Sequence, residues 1–236
     1  VLDIGLKEYS KRKAVDDYRA GRISVGRAAE EAGISIAEFY HVLSSQGIPI
    51  KIDLAAFGTA LRKDIGGMRA ISDASSLIHA AKVPALWAAL GKAFEEIIIP
   101  EAVHAEILAG KAIQRPDVPV ILGAISKGWV KITRGIKASG LPENLGAGEK
   151  EAISLMIQVR ADWLLMDDQV ASTTARLLGL PVRSLSYLIV YLVAKRSIKA
   201  SEGTMLLDDL VDSGYYLGPS DYLGIKKLLK EVPGKK

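Results

Sequence analysis

Five acidic residues have the types and positions that metal-dependent chemistry requires. They stand where an apolar run ends or a helical pattern begins, and they are Asp73, Glu106, Glu149, Asp167 and Asp168. Several carboxylates in one cleft repel each other unless a hard cation lies between them, and oxygen ligands suit Mg²⁺ or Mn²⁺. Such ions activate water and stabilise charge during phosphodiester hydrolysis. The acids therefore predict metal-assisted cleavage of a phosphodiester.

The elements that must bring these acids together are predicted from alternating sequence patterns. Apolar runs predict buried strands over 68–72, 96–99, 129–132, 163–166 and 181–183. Helical patterns between and after them predict helices over 76–90, 101–109, 119–127, 148–160, 170–178, 185–194, 201–213 and 220–229. This alternation is typical of an α/β fold, a parallel sheet flanked by helices on both faces. Ligands bind beyond the carboxyl ends of such strands, so we expect the acids at one sheet edge.

Each acid also fits an ordinary structural role when it is considered alone. Asp73 and Ser75 are suitable caps for the helix that follows them. Glu106 fits an exposed helical acid, and Glu149 fits an acid that compensates a helix dipole. Ser75 alternatively supports a metal by hydrogen-bonding to its ligands. The joint order of the acids along the predicted strands favours the metal site over these separate roles.

The N-terminal segment is predicted to be helical. Ser24 is a suitable N-cap, Gly33 can end the first helix, and Ser35 can cap a second helix. Two short helices joined by a tight turn form a helix-turn-helix pattern. The apolar positions expected to face one another across the turn are Ala28, Ala32, Ile34, Phe39 and Val42. Arg22 and Arg27 suit DNA phosphates, but the second helix is poor in base-reading side chains, so a hairpin that only packs or dimerises is the alternative.

Composition limits the chemistry of the chain. It has 236 residues, no cysteine and a net charge of +4, which permits nucleic-acid binding without requiring it. Any metal must bind Asp, Glu or His, and His41, His79 and His104 lack the spacing of a zinc site. The most apolar window, 185–194, is too short to span a bilayer. We expect a cytoplasmic protein that forms a homo-oligomer and has no membrane partner.

The chain resembles the PIN-domain ribonuclease family over nearly all of 68–229, and four segments carry this resemblance. They are Ile-Ser-Asp-Ala-Ser-Ser-Leu-Ile, Ile-Ile-Pro-Glu-Ala-Val-His-Ala-Glu-Ile, Leu-Gly-Ala-Gly-Glu-Lys-Glu-Ala-Ile and Leu-Leu-Met-Asp-Asp-Gln-Val-Ala. The resemblance implies a metal-dependent endoribonuclease of the toxin type. Its catalytic and metal-binding residues around Mg²⁺ or Mn²⁺ would be Asp73, Glu106, Glu149 and Asp168, with Asp167 as a further metal ligand. Two departures are Met166, where many relatives carry a hydroxyl residue, and Glu149, where many carry Asp.

The N-terminal block resembles a small antitoxin family through the run Gly-Arg-Ile-Ser-Val-Gly-Arg-Ala-Ala-Glu-Glu-Ala-Gly-Ile-Ser-Ile-Ala-Glu-Phe. Such proteins are usually encoded beside a nuclease of this type, so the resemblance implies an antitoxin fused to its toxin. The implied domains are a helical antitoxin-like domain over 1–49, a linker or inhibitory tail over 50–67 and a PIN-like domain over 68–236. The tail could lie across the nuclease cleft.

Three functional hypotheses follow. The first is an endoribonuclease that hydrolyses RNA by metal-activated water, restrained by its N-terminal segment, with Lys150 and Arg176 holding substrate phosphates. The second is a DNA-binding autorepressor that recognises operator DNA and whose nuclease fold is inactive or masked. A receiver-like phosphoacceptor domain is a weaker third hypothesis. Such a domain requires its acid pair on the earliest strand, whereas Asp167 and Asp168 follow the fourth predicted strand.

Overall fold

The computed structural model describes residues 2–20, 22–23, 25–34, 38–39, 42–43, 46, 48, 67–111 and 114–232. The chain divides into two compact units, residues 1–59 and 60–236. The predicted segment over 50–66 lies outside the described residues, as do Ser24, Ser35, His41 and much of the predicted second helix.

The described part of the first unit is mainly helical. Helix α1 is Leu2–Arg19 and helix α2 is Val25–Ala32. Gly33 ends α2 as predicted, because its φ of +63° is one that glycine adopts without steric cost. The core between these elements contains Ala14, Val15, Tyr18, Ala28, Ala29, Ala32, Phe39, Leu43 and Ile48. All five apolar positions predicted to face one another across the turn lie in this core or against it.

The second unit contains a five-stranded parallel sheet with the strand order β3-β2-β1-β4-β5. Helices flank the sheet, which confirms the predicted α/β fold class. The elements in chain order are β1 (Met68–Ser72), α3 (Ala74–Lys82), α4 (Pro84–Ala93), β2 (Phe94–Pro100), α5 (Glu101–Ala109), α6 (Asp117–Ser126), β3 (Val130–Thr133), α7 (Ala147–Val159), β4 (Trp163–Leu165), α8 (Gln169–Leu177), β5 (Val182–Arg183), α9 (Leu185–Ala194), α10 (Ala200–Asp212) and α11 (Pro219–Glu231).

The single helix predicted over 76–90 is wrong. Two helices, α3 and α4, occupy this stretch, and Val83 between them has an extended backbone. Proline disfavours helical geometry in the residue before it and fits the first turn of a new helix. Pro84 therefore divides the stretch. The other predicted strands and helices of this unit begin and end within two residues of the observed ones.

Both faces of the sheet are covered. Ile71, Leu164 and Val182 lie in a core that they share with buried residues of α7 and α8. On β4, the ring of Trp163 packs edge-on against Phe94, Tyr187 and Tyr191. Tyr187 and Tyr191 belong to the apolar helix α9, which is buried from Leu185 to Val193. Among the described residues, no helix combines the length and apolarity that crossing a membrane requires.

Candidate metal centre

Asp73 lies directly beyond the carboxyl end of β1, where it caps α3. Its Oδ1 accepts the backbone N–H of Ser76 at 2.9 Å, and its Oδ2 accepts the hydroxyl of Ser75 at 3.1 Å. Its own backbone N–H donates to the carbonyl of Leu165 on β4 at 3.1 Å. The residue is only 2% exposed. The sequence thus places a buried carboxylate where two adjacent strands end.

Asp167 follows β4 and approaches Asp73 from the neighbouring strand. Its Oδ2 accepts the hydroxyl of Ser76 at 2.8 Å. Its Oδ1 accepts the hydroxyl of Tyr215 at 2.5 Å and the backbone N–H of Leu185 at 3.2 Å. Ser76 therefore donates to both acids, through its N–H to one and its hydroxyl to the other. We call Asp73 and Asp167 the aspartate pair.

Burial makes the ionised aspartate pair costly. It raises the pKa of Asp73 from 3.8 to about 7, and the nearby charge of Asp167 is the second cause. Burial of its carboxyl group also raises the pKa of Asp167, although the hydroxyls of Tyr215 and Ser76 oppose this shift. A buried carboxylate beside another carboxylate is stabilised by any cation that enters. The electrostatics of the pair therefore favour a divalent ion.

Asp168 has a different environment from Asp167. It is exposed and caps α8, with its Oδ1 accepting the backbone N–H of Ala171 at 2.8 Å. The sequence resemblance favoured Asp168 over Asp167 as the last acid of the site. In the structure, Asp167 is the member of this adjacent pair that interacts with Asp73.

Glu106, Glu149 and Glu151 form a second acidic group, separate from the aspartate pair. Glu106 on α5 accepts the backbone N–H of Gly148, in the first turn of α7, at 3.1 Å. In return, Glu151 on α7 accepts the backbone N–H of Ala102, in the first turn of α5, at 2.9 Å. Each helix therefore supplies a carboxylate to the N-terminus of the other. We call Glu106, Glu149 and Glu151 the glutamate group.

The glutamate group uses the partial positive charge of helix N-termini. Glu149 accepts the N–H of Gly146, the residue that precedes α7, at 2.9 Å. The pKa of Glu106 is raised, first by burial and then by the charges of Glu149 and Glu151. The Gly148 N–H opposes that shift. These contacts place three carboxylates near one another at two helix starts.

Four of the five predicted acids thus fall into two groups in the structure, and Asp168 belongs to neither. Within the described ranges, no set of three His, Asp or Glu side chains converges closely enough to hold a metal ion. The donor chemistry nevertheless fits Mg²⁺ or Mn²⁺, because every candidate ligand is a carboxylate oxygen. The aspartate pair fits such an ion best, since burial and mutual repulsion disfavour its ionised form.

Ser76, Tyr215 and Glu151 were not identified from the sequence. Ser76 had a local signal, because a residue three positions after an N-cap Asp donates to it. Tyr215 is 48 residues from Asp167, and no local pattern connects them. Met166, where a hydroxyl was expected, is fully buried in the core of α7 and α8. Hydroxyls reach the aspartate pair from Ser75, Ser76 and Tyr215 instead.

The four predicted phosphate-binding cations have protein partners. Arg22 pairs with Asp17, and Arg27 pairs with Glu30 and Glu31. Lys150 donates to the carbonyl of Glu143 at 3.1 Å, and Arg176 donates to the Ser172 hydroxyl at 3.3 Å. Of the four, Arg176 is the one whose charge lowers the pKa of Asp167.

In the strand order, β2 and β3 lie on one side of β1, and β4 and β5 lie on the other. The aspartate pair therefore lies at the switch point between β1 and β4. Helices begin directly beyond β1 and β4, and ligands bind at such positions in open α/β folds. A parallel α/β sheet with paired acids at this edge is compatible with a nuclease-like fold. The chain belongs to the PIN-domain family, whose model (DUF3368) matches residues 69–231. PIN domains are typically nucleases and usually bind a divalent metal.

The N-terminal part matches a second family. Residues 6–62 match the uncharacterised protein family UPF0175. Over 52 residues the chain is 42% identical to a UPF0175 protein of Archaeoglobus fulgidus, which corresponds to 22% of this chain and 55% of that protein. The chain therefore spans about half the length of this curated relative. The toxin and antitoxin roles inferred from the sequence stay predictions.

Proposed function

We propose that this protein is an Mg²⁺- or Mn²⁺-dependent endoribonuclease of the toxin type. The observation that carries the proposal is the aspartate pair, a buried and a half-buried carboxylate that interact at the ends of adjacent parallel strands. The match of the second unit to the PIN-domain family supports the same conclusion. Hydrolysis of an RNA phosphodiester is the reaction that such a carboxylate site would perform.

The residues of the site would have distinct roles. When bound, a divalent ion supplies an acidic water and stabilises charge on phosphate oxygens. Asp73 and Asp167 would hold the ion, and Ser76 would orient both carboxylates through its N–H and hydroxyl. The exposed Asp168 would add an oxygen ligand beside them. Glu106 and Glu149 of the glutamate group would bind a second ion or orient water at the start of α7.

A substrate phosphate would bind through nearby cations. Arg176 lies close enough to Asp167 to influence its pKa, and Lys150 is on the same helix turn as Glu149 and Glu151. A guanidinium matches the geometry of phosphate oxygens. These two residues would therefore hold RNA against the acids.

Replacement of Asp73 by Asn tests the proposal. Asn keeps the helix cap but removes the charge, so we expect RNA cleavage to fall by about 10²–10³-fold, as when one electrostatic group is lost from an active site. Cleavage of a labelled RNA is measured with Mg²⁺, Mn²⁺ or EDTA. Asp212→Asn, which alters an exposed acid at the end of α10, is the matched control. Undiminished cleavage by pure Asp73→Asn protein would overturn the proposal.

We further propose that the UPF0175 segment restrains the nuclease. The occurrence of both families in one chain supports this regulation, because a covalently attached inhibitor acts at high effective concentration. A fragment that starts at Met68 should cleave RNA faster than the full chain at equal concentration. Circular dichroism checks that the fragment is folded. Equal rates for a folded fragment and the full chain would contradict restraint.

The alternative is a DNA-binding autorepressor with an inactive nuclease fold, recognising operator DNA through its N-terminal unit. It is favoured by the division of the acids into two groups. The ion pairs of Arg22 and Arg27 argue against it, since phosphate contacts would have to replace them. DNA binding without metal-dependent cleavage, also by the Met68 fragment, would support the alternative.

A further inference from the structure

Tyr215 connects the C-terminal segment of the chain to the aspartate pair. It lies between α10 and α11, is only 7% exposed and donates its hydroxyl proton to Oδ1 of Asp167. Its ring packs edge-on against the ring of His79 on α3, with 5.4 Å between the ring centroids. The helix that carries His79 is the one that Asp73 caps. Tyr215 therefore contacts elements that support both members of the pair.

The hydrogen bond from Tyr215 to Asp167 has a defined direction. A carboxylate accepts hydrogen bonds and a phenol can donate one. A phenol ordinarily has a pKa of about 10, so its hydroxyl is protonated at neutral pH. The hydroxyl therefore keeps its proton, and the bond to Asp167 is charge-assisted, which makes it stronger than a neutral one.

Three separate parts of the fold orient the Asp167 carboxylate. Ser76 donates from α3, Leu185 from the start of α9 and Tyr215 from the C-terminal segment. Ser76 is already committed to Asp73 through its backbone N–H. The Tyr215 hydroxyl is therefore the donor that can be removed with the least change to Asp73.

We propose that Tyr215 is a positioning residue that fixes the Asp167 carboxylate beside Asp73, so that the aspartate pair can take a divalent cation. It supplies from the C-terminal segment the hydroxyl that position 166 lacks. This inference rests on the proposed metal-dependent function. Groups that hydrogen-bond to metal ligands orient them, and their loss typically costs about 10–100-fold in metal affinity or activity.

Tyr215→Phe tests this role because it keeps the ring against His79 and removes only the hydroxyl. We expect Mn²⁺ affinity, measured by titration calorimetry on the full chain, to fall about 10–100-fold. The kcat for RNA cleavage should fall in parallel while KM for RNA is unchanged. Tyr216→Phe is the matched control, since Tyr216 is the next residue and is 89% exposed. It should match the wild type in both measurements.

A double-mutant cycle separates positioning from a general structural effect. In the Asp167→Ala background, Tyr215→Phe should cause no further loss of Mn²⁺ affinity or kcat, because the carboxylate that Tyr215 positions is gone. If the fold losses of Mn²⁺ affinity or kcat in the two single variants multiply in the double variant, the inference is overturned. Thermal unfolding of each variant with EDTA checks that the fold is intact.

The test distinguishes this inference from the proposed function. If the wild type binds Mn²⁺ but cleaves no RNA, and Tyr215→Phe weakens Mn²⁺ binding, the positioning role stands and the nuclease proposal fails. If the wild type cleaves RNA and Tyr215→Phe changes neither Mn²⁺ affinity nor kcat, the nuclease proposal stands and the role of Tyr215 fails.

Discussion

The aspartate pair and the glutamate group differ in how the protein compensates their charge. Asp73 is buried beside Asp167, and the pKa of Asp73 is raised to about 7. Hydroxyls and single amides are their main partners, so much of the repulsion stays. The glutamates lie at the starts of α5 and α7, where backbone N–H groups and helix dipoles favour negative charge.

This difference indicates a division of roles. The aspartate pair gains most from a cation, because a cation relieves both burial and repulsion. The glutamate group is already partly compensated, and two of its hydrogen bonds join α5 to α7. We infer that metal binding depends first on the pair and that the glutamate group fixes how the starts of α5 and α7 are held together.

The largest effect is expected when Asp73→Asn removes one charge of the aspartate pair, and the free energy of unfolding measures this effect. Because the pKa of Asp73 rises from its ordinary value of 3.8 to about 7 in the fold, the folded protein binds a proton between these values that the unfolded chain has released. The contribution of Asp73 to the free energy of unfolding without divalent metal is therefore fully present below about pH 4 and is lost as the pH rises to about 7. Asp73→Asn removes this loss and should exceed the wild type in stability by a few kcal/mol, on the order of 1.4 kcal/mol per unit of pKa, above about pH 7.

Urea unfolding in EDTA from about pH 4 to about pH 8 measures this difference across the window in which the proton is released. Asn still accepts the Ser76 N–H at the helix N-cap, so the comparison isolates the charge. Asp212→Asn should follow the wild-type curve at every pH. Parallel curves for the wild type and Asp73→Asn would show that the pair carries no uncompensated charge.

A smaller effect is expected when Glu106 is displaced in the glutamate group. In Gly148→Ala, the new Cβ would lie 2.5 Å from Oε1 of Glu106 and 3.1 Å from Cγ2 of Val103. The flexible Glu106 side chain would move away and lose its bond to the residue 148 N–H. We expect RNA cleavage to fall about 10–100-fold, as when a group that orients a metal ligand is lost.

Stability should change little in Gly148→Ala, because alanine favours the helix by about 1 kcal/mol while the lost hydrogen bond costs a similar amount. Gly123→Ala is the matched control, since Gly123 lies inside α6 and its added Cβ meets no atom within 4 Å. That variant should keep full activity. Full activity in Gly148→Ala as well would assign no positioning role to the Glu106–Gly148 contact.

The sheet and the positions of the aspartates could be predicted from the sequence because their signals are local. Short apolar runs mark the strands, and an acid directly after a run must lie at the carboxyl edge of a parallel sheet. The break at Pro84 also had a local signal, the restriction that proline places on the residue before it. The family match over 69–231 confirms the PIN-domain part of the resemblance that the acidic segments indicated.

The separation into two acidic groups could not be predicted in the same way. It depends on how far α5 and α7 stand from the ends of β1 and β4, and tertiary packing decides this distance. Tyr215 and Asp167 are 48 residues apart, and Ala102 and Glu151 are 49 residues apart. Such contacts leave no spacing pattern in the chain, so their donors and acceptors emerge only from the fold.

The smallest effect is expected at Glu151, whose carboxylate joins the two helices without a proposed place in catalysis. Glu151→Ala removes the acceptor of the Ala102 N–H and should lower the free energy of unfolding by about 1 kcal/mol. Glu151→Gln keeps a carbonyl acceptor and should lose less, because only the interaction with the helix dipole is weakened. Urea unfolding at neutral pH measures both. If Glu151→Ala lowers Mn²⁺ affinity as strongly as Asp73→Asn does, the two acidic groups act as one metal site, and the division of roles inferred from their different environments is wrong.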